Sequence, residues 1–216
     1  IIHYEEQIVS DYNYVVVVSG DYRIFVKEMI NFIESLKKSS TKFLLSVLIH
    51  DAQQNEIETI CDFMSSLKLD NYRIDFENSK CLKLSEIETK SYYTARRYIL
   101  VNDMMEKYSK PIFLFDADSI IRKNLNEYLD INSQVDMSLY IKDEIRYFNL
   151  IITANQAMFN LTSNSKIFLN FYKKYIFYFL NNKKLIWHVD QIVLYIAFII
   201  TQRFFKAKIH NNGNNN

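Results

Sequence analysis

The chain has 216 residues, about the length of one domain, and its composition is 49% apolar and 24% charged. These values are typical of globular proteins and exclude a disordered chain. The 26 basic and 25 acidic residues give a net charge of +1, which argues against nucleic acid as the partner. With two glycines and one proline, the chain cannot form a glycine-rich phosphate loop of the GxGxxG or GxxxxGK[ST] type.

The two cysteines, Cys61 and Cys81, form neither a disulfide framework nor a zinc-binding spacing, so they fit a reducing compartment. The first residues, IIHYEEQ, lack the pattern of a signal peptide. The most apolar stretch, Ile192 to Ile200, is shorter than the ~20 residues of a membrane helix. We therefore expect a cytoplasmic protein without a transmembrane segment, with peripheral attachment to the inner face of the membrane as an option.

In the first half of the chain, buried apolar runs alternate with amphipathic segments. The predicted strands are Tyr14–Ser19, Phe43–Ile49, Tyr72–Phe76 and Ile112–Phe115, and the predicted helices are Ile24–Leu36, Asn55–Leu67 and Ser91–Tyr108. Such alternation predicts an α/β fold with a mostly parallel sheet and helices on both faces. In sheets of this kind, ligands bind at the carboxyl ends of the strands.

The second half is less regular. It predicts strands over Val135–Ile141 and Leu150–Phe159, and helices over Lys166–Leu180 and Trp187–Gln202. The aromatic residues from Phe168 to Phe179 indicate a core helix, with a lipid-facing or partner-facing patch as the alternative. We expect one domain over residues 1–210 and a low-complexity tail over residues 211–216.

The segment IFLFDADSII places Asp116 and Asp118 directly after a buried strand. In extended backbone, residues two apart point to the same side, where two carboxylates repel each other unless a cation lies beside them. Mn²⁺ and Mg²⁺ take such oxygen ligands together with substrate phosphates. The motif therefore predicts a platform for a metal and a diphosphate, although a solvated turn at the end of a strand has the same composition.

Four segments, read in order, resemble the GT-A glycosyltransferases. The four segments are VVVVSGDYRIFVKEMINFIESL, TARRYILVNDMMEKYSKPIFLFDADSIIRKNL, TANQAMFNLTSNSKIFLNFY and WHVDQIVLYIAF. The likeness is strongest to family-8-like enzymes and to the glycosyltransferase domains fused to tetratricopeptide proteins. It implies a GT-A (Rossmann-like) fold and a nucleotide-diphospho-sugar donor.

The resemblance also implies roles for individual residues. Donor-binding residues would be Ser19, Asp21, Arg97, Asp116, Ala117, Asp118 and Asn155; catalytic residues would be Asp190 and Gln191; metal ligands would be Asp116, Asp118 and His210. Asn155 stands where the family has glycine, and the His-x-x-Gly segment IHNNG lacks the family's following Lys-Pro-Trp.

Four of these residues also have a plain structural interpretation. Asp21 is equally suited to cap the helix that follows it. Arg97 would otherwise form a surface ion pair, and Asp190 would match a helix dipole. His210 would otherwise belong to a frayed polar tail.

The resemblance predicts transfer of a hexose-type sugar from a nucleotide-sugar, with a UDP-sugar favoured, to a glycan, a lipid-linked acceptor or a protein. It implies Mn²⁺ or Mg²⁺ as cofactor, retention of configuration, and a role in bacterial glycan biosynthesis. Two alternatives remain. The first alternative is a glycosyltransferase-like binding module that has lost turnover. The second is a haloacid-dehalogenase-type phosphatase, which would use the first Asp of the DxD motif as nucleophile. In such phosphatases, however, the motif normally lies at the start of the domain.

Overall fold

The computed structural model describes residues 3–142, 147, 150–182 and 184–214. Backbone contacts divide the chain into two compact units, Ile1–Leu84 with Phe115–Leu129 and Ser85–Leu114 with Asp130–Asn216. Among these described residues, no helix is both long and apolar enough to span a membrane.

The described residues form a mixed α/β fold, which confirms the fold class expected from the sequence. The strands are β1 (His3–Ile8), β2 (Tyr14–Asp21), β3 (Phe43–His50), β4 (Asn71–Glu77), β5 (Ile112–Phe115), β6 (Met137–Ile141), β7 (Ile152–Phe159) and β8 (Ile209–Asn211). The helices are α1 (Tyr22–Ile24), α2 (Ile30–Ser39), α3 (Gln54–Ser66), α4 (Glu86–Tyr108), α5 (Leu125–Ile131), α6 (Ser163–Asn181) and α7 (Val189–Phe205). A π-helical turn over Phe25–Met29 joins α1 to α2, and short 3-10 turns cover Lys80–Leu82 and Asn212–Asn214.

In the first unit the strand order is β1-β4-β3-β2. Strands β2, β3 and β4 are parallel, and β1 joins the edge of β4 in the antiparallel direction. All eight residues of β3 are buried, as are the first five of β2. This burial on both faces explains why both strands are continuous apolar runs.

In the second unit the strand order is β5-β7-β6-β8. Strand β7 is antiparallel to β6, whereas β8 is parallel to β6. Helices α4, α6 and α7 pack against one another in this unit, and Tyr98 and Tyr172 are fully buried within it. The aromatic residues of α6 are thus partly core, as the sequence indicates.

Several boundaries differ from those expected, and each has a local cause. Helix α4 begins at Glu86 rather than Ser91 because Ser85 and Glu88 form a capping box. The helix expected over 24–36 starts earlier, since Asp21 caps it, and contains the π-helical turn. The residues from 211 to 214 do not extend as a free tail, because the side chain of Asn211 accepts hydrogen bonds from the N–H groups of Ile141 and Gly213 at 3.0 and 2.8 Å. Residues 215–216 of the expected tail lie outside the described residues.

Candidate functional site

A row of polar side chains crosses the carboxyl ends of three parallel strands in the first unit. Asp21 ends β2 and lies opposite His50 of β3, which in turn lies opposite Glu77 of β4. The buried His50 side chain places its Nδ1 atom 3.5 Å from Oε2 of Glu77. The sequence analysis named Asp21 but missed His50. The position of His50 at the carboxyl end of a buried strand, where ligands bind in such sheets, could have identified it.

Asp21 does cap the helix that follows β2, which is the structural role expected as an alternative to donor binding. Its Oδ1 atom accepts the N–H of Ile24 at 2.8 Å. Ser19, two residues earlier, is half-buried. Directly after the cap, the π-helical turn buries Phe25, whose ring meets that of Phe63 edge-to-face at 5.6 Å. Single π-helical turns are frequent at functional sites, so this turn is consistent with a functional site at the end of β2.

The DxD motif lies in a turn rather than in extended backbone. Strand β5 ends at Phe115, and the N–H of Ser119 donates to the carbonyl of Asp116 at 3.1 Å. The argument that alternation in a strand places both carboxylates on one side therefore fails here. Ala117 is buried, Asp116 is half-buried and Asp118 is exposed.

Hydrogen bonds to α2 hold the chain just after this turn. The N–H of Ile121 donates to the Ser35 hydroxyl at 2.9 Å, and the Ile121 carbonyl accepts the Ser39 hydroxyl at 2.8 Å. Together with buried Ala117, these contacts fix the segment on both sides of Asp118. The exposed carboxylate of Asp118 thus projects from an anchored turn.

The carboxylate oxygens of Asp116 and Asp118 suit Mn²⁺ or Mg²⁺ by their chemistry, because hard cations prefer oxygen ligands. In the part of the chain that the structure describes, no group of three or more His, Cys, Asp or Glu side chains is arranged to hold a metal ion. Two carboxylates are nevertheless enough for a cation that takes its other ligands from substrate phosphates and water. The residues present therefore fit such a metal.

His210 belongs to an ordered strand of the second unit. It lies in β8, opposite Ser138 of β6, and is half-exposed. Asn211 next to it is held by the hydrogen bonds described above. The interpretation of His210 as part of a frayed tail is therefore wrong.

Asp190 and Arg97 come together in the second unit. Asp190 lies in the first turn of α7 with 4% of its surface exposed, two residues after His188, whose backbone is left-handed (φ 66°). Burial raises the pKa of Asp190, and the positive charge of Arg97 opposes that rise. Arg97 projects from α4, where its Nε atom donates to the Thr94 carbonyl at 3.2 Å.

Two buried tyrosines, which sequence reasoning missed as site residues, surround this pair. Tyr98 and Tyr172 place their ring centroids 5.0 Å apart, and the Arg97 guanidinium lies 5.9 Å from the centroid of Tyr98. Burial raises the pKa of both phenols, and the Asp190 charge adds to the rise. Within the described chain, the Tyr98 hydroxyl and Oε1 of Gln191 are buried without a hydrogen-bond partner. Buried polar atoms without a partner are uncommon in native structures, so each of these two calls for an explanation.

Asn155 occupies a bulge in β7. The pairing of β6 with β7 passes from Leu139↔Ala157 to Tyr140↔Thr153, which leaves three residues of β7 without partners in β6. Oδ1 of exposed Asn155 accepts the Thr153 hydroxyl at 2.7 Å and the N–H of Gln156 at 3.0 Å. These two hydrogen bonds do not use the amide nitrogen of Asn155, which is a donor. Bulges of this kind are common next to active sites.

No family model matches the sequence, and no curated protein matches it. Solved structures do match. They include the apo glycosyltransferase GlyE of Streptococcus pneumoniae (TM-score 0.58, 13% identity, 94% of this chain and 46% of that chain). Mouse xyloside xylosyltransferase 1 matches with a TM-score of 0.57 and 11% identity over 94% of this chain and 85% of its own. The galactosyltransferase LgtC, in complex with donor and acceptor sugar analogues, matches with a TM-score of 0.58 and 14% identity over 83% of this chain and 69% of its own.

These matches show the fold. The chain has the GT-A architecture of these glycosyltransferases, as the resemblance in its sequence implies. It spans less than half the length of GlyE.

Proposed function

We propose that this GT-A chain transfers a hexose-type sugar from a nucleotide-diphospho-sugar to an acceptor, with a divalent cation bound through Asp116 and Asp118. The observation that carries the proposal is Asp190, which is buried in the first turn of α7 and interacts electrostatically with Arg97, in a fold that known glycosyltransferases share. A buried carboxylate with a raised pKa and a charged partner is more common at functional sites than elsewhere.

Asp21 and Ser19 would bind the nucleoside of the donor at the end of β2. Because Oδ1 of Asp21 already caps α1, its Oδ2 atom is the one we assign to a ribose hydroxyl or a base N–H. His50 and Glu77 would support this contact from the two neighbouring strands. This contact involves only the nucleoside; the phosphates, which many sites bind with a glycine-rich loop that this chain cannot form, are assigned to the cation.

Asp116 and Asp118 would hold Mn²⁺ or Mg²⁺ through their carboxylates, with buried Ala117 anchoring the turn between them. His210 is the third proposed ligand. When bound, the cation would neutralise the charge that grows on the leaving diphosphate.

Arg97, Asp190, Gln191 and Asn155 would bind the sugar. Asp190 and Gln191 open α7, where a carboxylate and an amide can orient hydroxyl groups beneath the anomeric carbon. In the reaction, the bond between the anomeric carbon and the diphosphate oxygen breaks, and the nucleoside diphosphate leaves with the bonding electrons. The acceptor oxygen forms the new bond to the anomeric carbon, and its proton passes to the leaving diphosphate. Retention of configuration and a UDP-sugar donor are what the resemblance favours; the acceptor would be a glycan, a lipid-linked molecule or a protein.

Thermal unfolding with a panel of nucleotides tests the donor class. Ligands that bind only the native state raise its Tm, so UDP together with Mn²⁺ should raise the Tm more than the two separate effects combined. Mn²⁺-dependent release of UDP from a UDP-sugar would then establish turnover. Donor binding without any such release would identify a binding module that has lost turnover.

Asp118→Ala tests the metal platform, and Asp11→Ala is its matched control because Asp11 is an exposed aspartate of the same unit outside the proposed site. We expect calorimetry to show loss of Mn²⁺ and UDP binding in the first variant and wild-type binding in the second. Wild-type binding of metal and donor by Asp118→Ala would refute the assignment.

A further inference from the structure

Charge is distributed unevenly along the chain. Residues 147–216 contain eight of the 26 Lys and Arg residues but only one of the 25 Asp and Glu residues. That single acid is Asp190, which is buried. The balanced total therefore conceals a last third that is strongly basic, and charge asymmetry of this kind indicates an anionic partner.

The outer face of α7 is apolar. Its inner face buries Val193, Leu194, Ala197 and Phe198, as expected for a helix packed on a core. A helix in that position normally turns charged residues outward. Here the outward positions carry half-exposed residues instead, namely Ile192, Tyr195, Ile196, Ile199 and Ile200. Five side chains line a shallow cavity of about 340 Å³ on this face, namely Tyr195, Ile196, Ile199, Ile200 and Arg203.

The last turn of α7, next to this face, carries exposed aromatic and basic side chains. Phe204 is 76% exposed and Phe205 is 42% exposed. The ring of Phe205 meets that of Phe171 from α6 at 6.4 Å. Arg203 and Lys206 are exposed beside them. We call this exposed part of α7, namely its outer face and its last turn, the α7 surface; it comprises Tyr195, Ile196, Ile199, Ile200, Arg203, Phe204, Phe205 and Lys206.

We propose that the α7 surface binds the anionic surface of a lipid bilayer. Basic side chains are attracted to anionic headgroups, while isoleucine and phenylalanine side chains enter the boundary between headgroups and acyl chains. A nucleic acid would match the positive charge but not the isoleucines. This proposal does not rest on glycosyl transfer, since none of the residues of the α7 surface belongs to the proposed donor site.

Flotation of the full chain with vesicles tests the proposal. We expect binding to phosphatidylcholine vesicles containing about one third phosphatidylglycerol, and much weaker binding to phosphatidylcholine alone. Raising the salt concentration from about 0.1 M to about 1 M should weaken the binding, because the screening length falls from ~10 Å to ~3 Å.

Charge reversal at the α7 surface tests the electrostatic part. Each basic side chain near an anionic membrane raises the partition coefficient about 5-fold. Arg203→Glu with Lys206→Glu should therefore lower partitioning onto the anionic vesicles at least about 25-fold. The matched control is Arg122→Glu with Lys123→Glu, an exposed Arg and Lys pair whose reversal changes the net charge equally. The control should retain most of the binding, and an equal loss in both variants would contradict a defined surface.

Phe204→Asp tests the apolar part and should also reduce vesicle binding, whereas Ile131→Asp, at a residue that is 81% exposed on α5, should not. Both side chains are largely exposed, so circular dichroism should show the wild-type fold. Equal binding to neutral and anionic vesicles, or no binding to either, would overturn the proposal. A different result would identify a second copy of the chain as the occupant of the α7 surface: the wild-type chain would form a dimer, Phe204→Asp would dissociate it, and neither would bind vesicles.

Discussion

Gly20 lies where the end of β2 meets α1, and the space around it predicts that Gly20→Ala damages the nucleotide end of the site. A Cβ atom at this position would lie 2.8 Å from Cγ2 and 3.0 Å from Cβ of Ile24, and 3.2 Å from Cε of Met29. The Met29 methyl can swing away because it ends a flexible chain. The Cγ2 atom of Ile24 cannot, because a β-branched side chain has one strongly preferred rotamer in a helix.

The displaced Ile24 also provides the N–H that Asp21 caps at 2.8 Å. Overpacking costs about 1–3 kcal/mol, and loss of a helix cap costs about 0.5–2 kcal/mol. We expect Gly20→Ala to lower the free energy of unfolding by about 1–3 kcal/mol. In a chain of this size that loss reduces the Tm by about 2–12 °C. Urea unfolding and calorimetry measure the loss, and UDP binding should weaken in parallel because Asp21 moves.

Ile24→Ala supplies the matched compensation, since it removes the Cγ2 atom that lies nearest to the new methyl group. Ile24 is half-exposed, so this substitution alone should cost about 1 kcal/mol. The double variant should be more stable than the sum of the two single losses predicts, with a coupling energy of about 1 kcal/mol or more. Strict additivity would refute the steric argument.

Two further predictions concern ionisable groups. Asp190→Asn should raise the Tm at neutral pH while abolishing sugar transfer, because the raised pKa of Asp190 means that burial opposes its charge more than Arg97 favours it. The contribution of Asp190 to the free energy of unfolding is fully present below the unfolded pKa of 3.8 and is lost as the pH rises through its folded pKa. The stability advantage of Asn should therefore vanish in acid, and Tm measured against pH tests this. Burial raises the pKa of Tyr14 from 10.0 to about 12, so stability should fall as the pH rises from 10 towards 12. Tyr14→Phe should flatten that alkaline decline; an unchanged slope would assign it to other groups.

Burial and periodicity were enough to predict the parallel core of the fold. Strands β2, β3 and β5 are apolar runs, and β5 was predicted with its observed limits, Ile112–Phe115. Strand β1 was missed because its sequence, HYEEQI, is polar and it pairs only at an edge. Strand β8 has three residues, and its pairing with β6 rather than its own propensity defines it.

The residues of the candidate site were easier to predict than their geometry. The electrostatic interaction of Asp190 with Arg97 joins residues far apart in sequence, and the resemblance named both. The turn at the DxD motif and the bulge at Asn155 depend on backbone hydrogen bonds that residue types alone do not specify. His50 and Tyr98 were missed because a buried polar residue in an apolar run has the same sequence pattern whether it serves packing or a site.

A substitution at Tyr98 can distinguish a role in packing from a role in the site, because the Tyr98 hydroxyl is buried with no hydrogen-bond partner among the described residues. Such a group costs about 1–3 kcal/mol relative to a satisfied one. Tyr98→Phe keeps the ring contacts with Tyr172 and Phe159, so we expect it to stabilise the ligand-free chain by about 1–2 kcal/mol. The matched control is Tyr172→Phe, which removes a hydroxyl that donates to the Ala95 carbonyl at 3.4 Å and should bring no gain.

Donor binding then decides why the Tyr98 hydroxyl is present. If it serves the site, Tyr98→Phe will be more stable yet will bind the nucleotide-sugar more weakly, a pair of effects that a purely structural residue does not produce. Calorimetric titration of the variant and its Tyr172→Phe control measures the second effect under the same conditions as the first. A Tyr98→Phe chain that is less stable than wild type would show that the hydroxyl has a partner and that the reasoning from its burial is wrong.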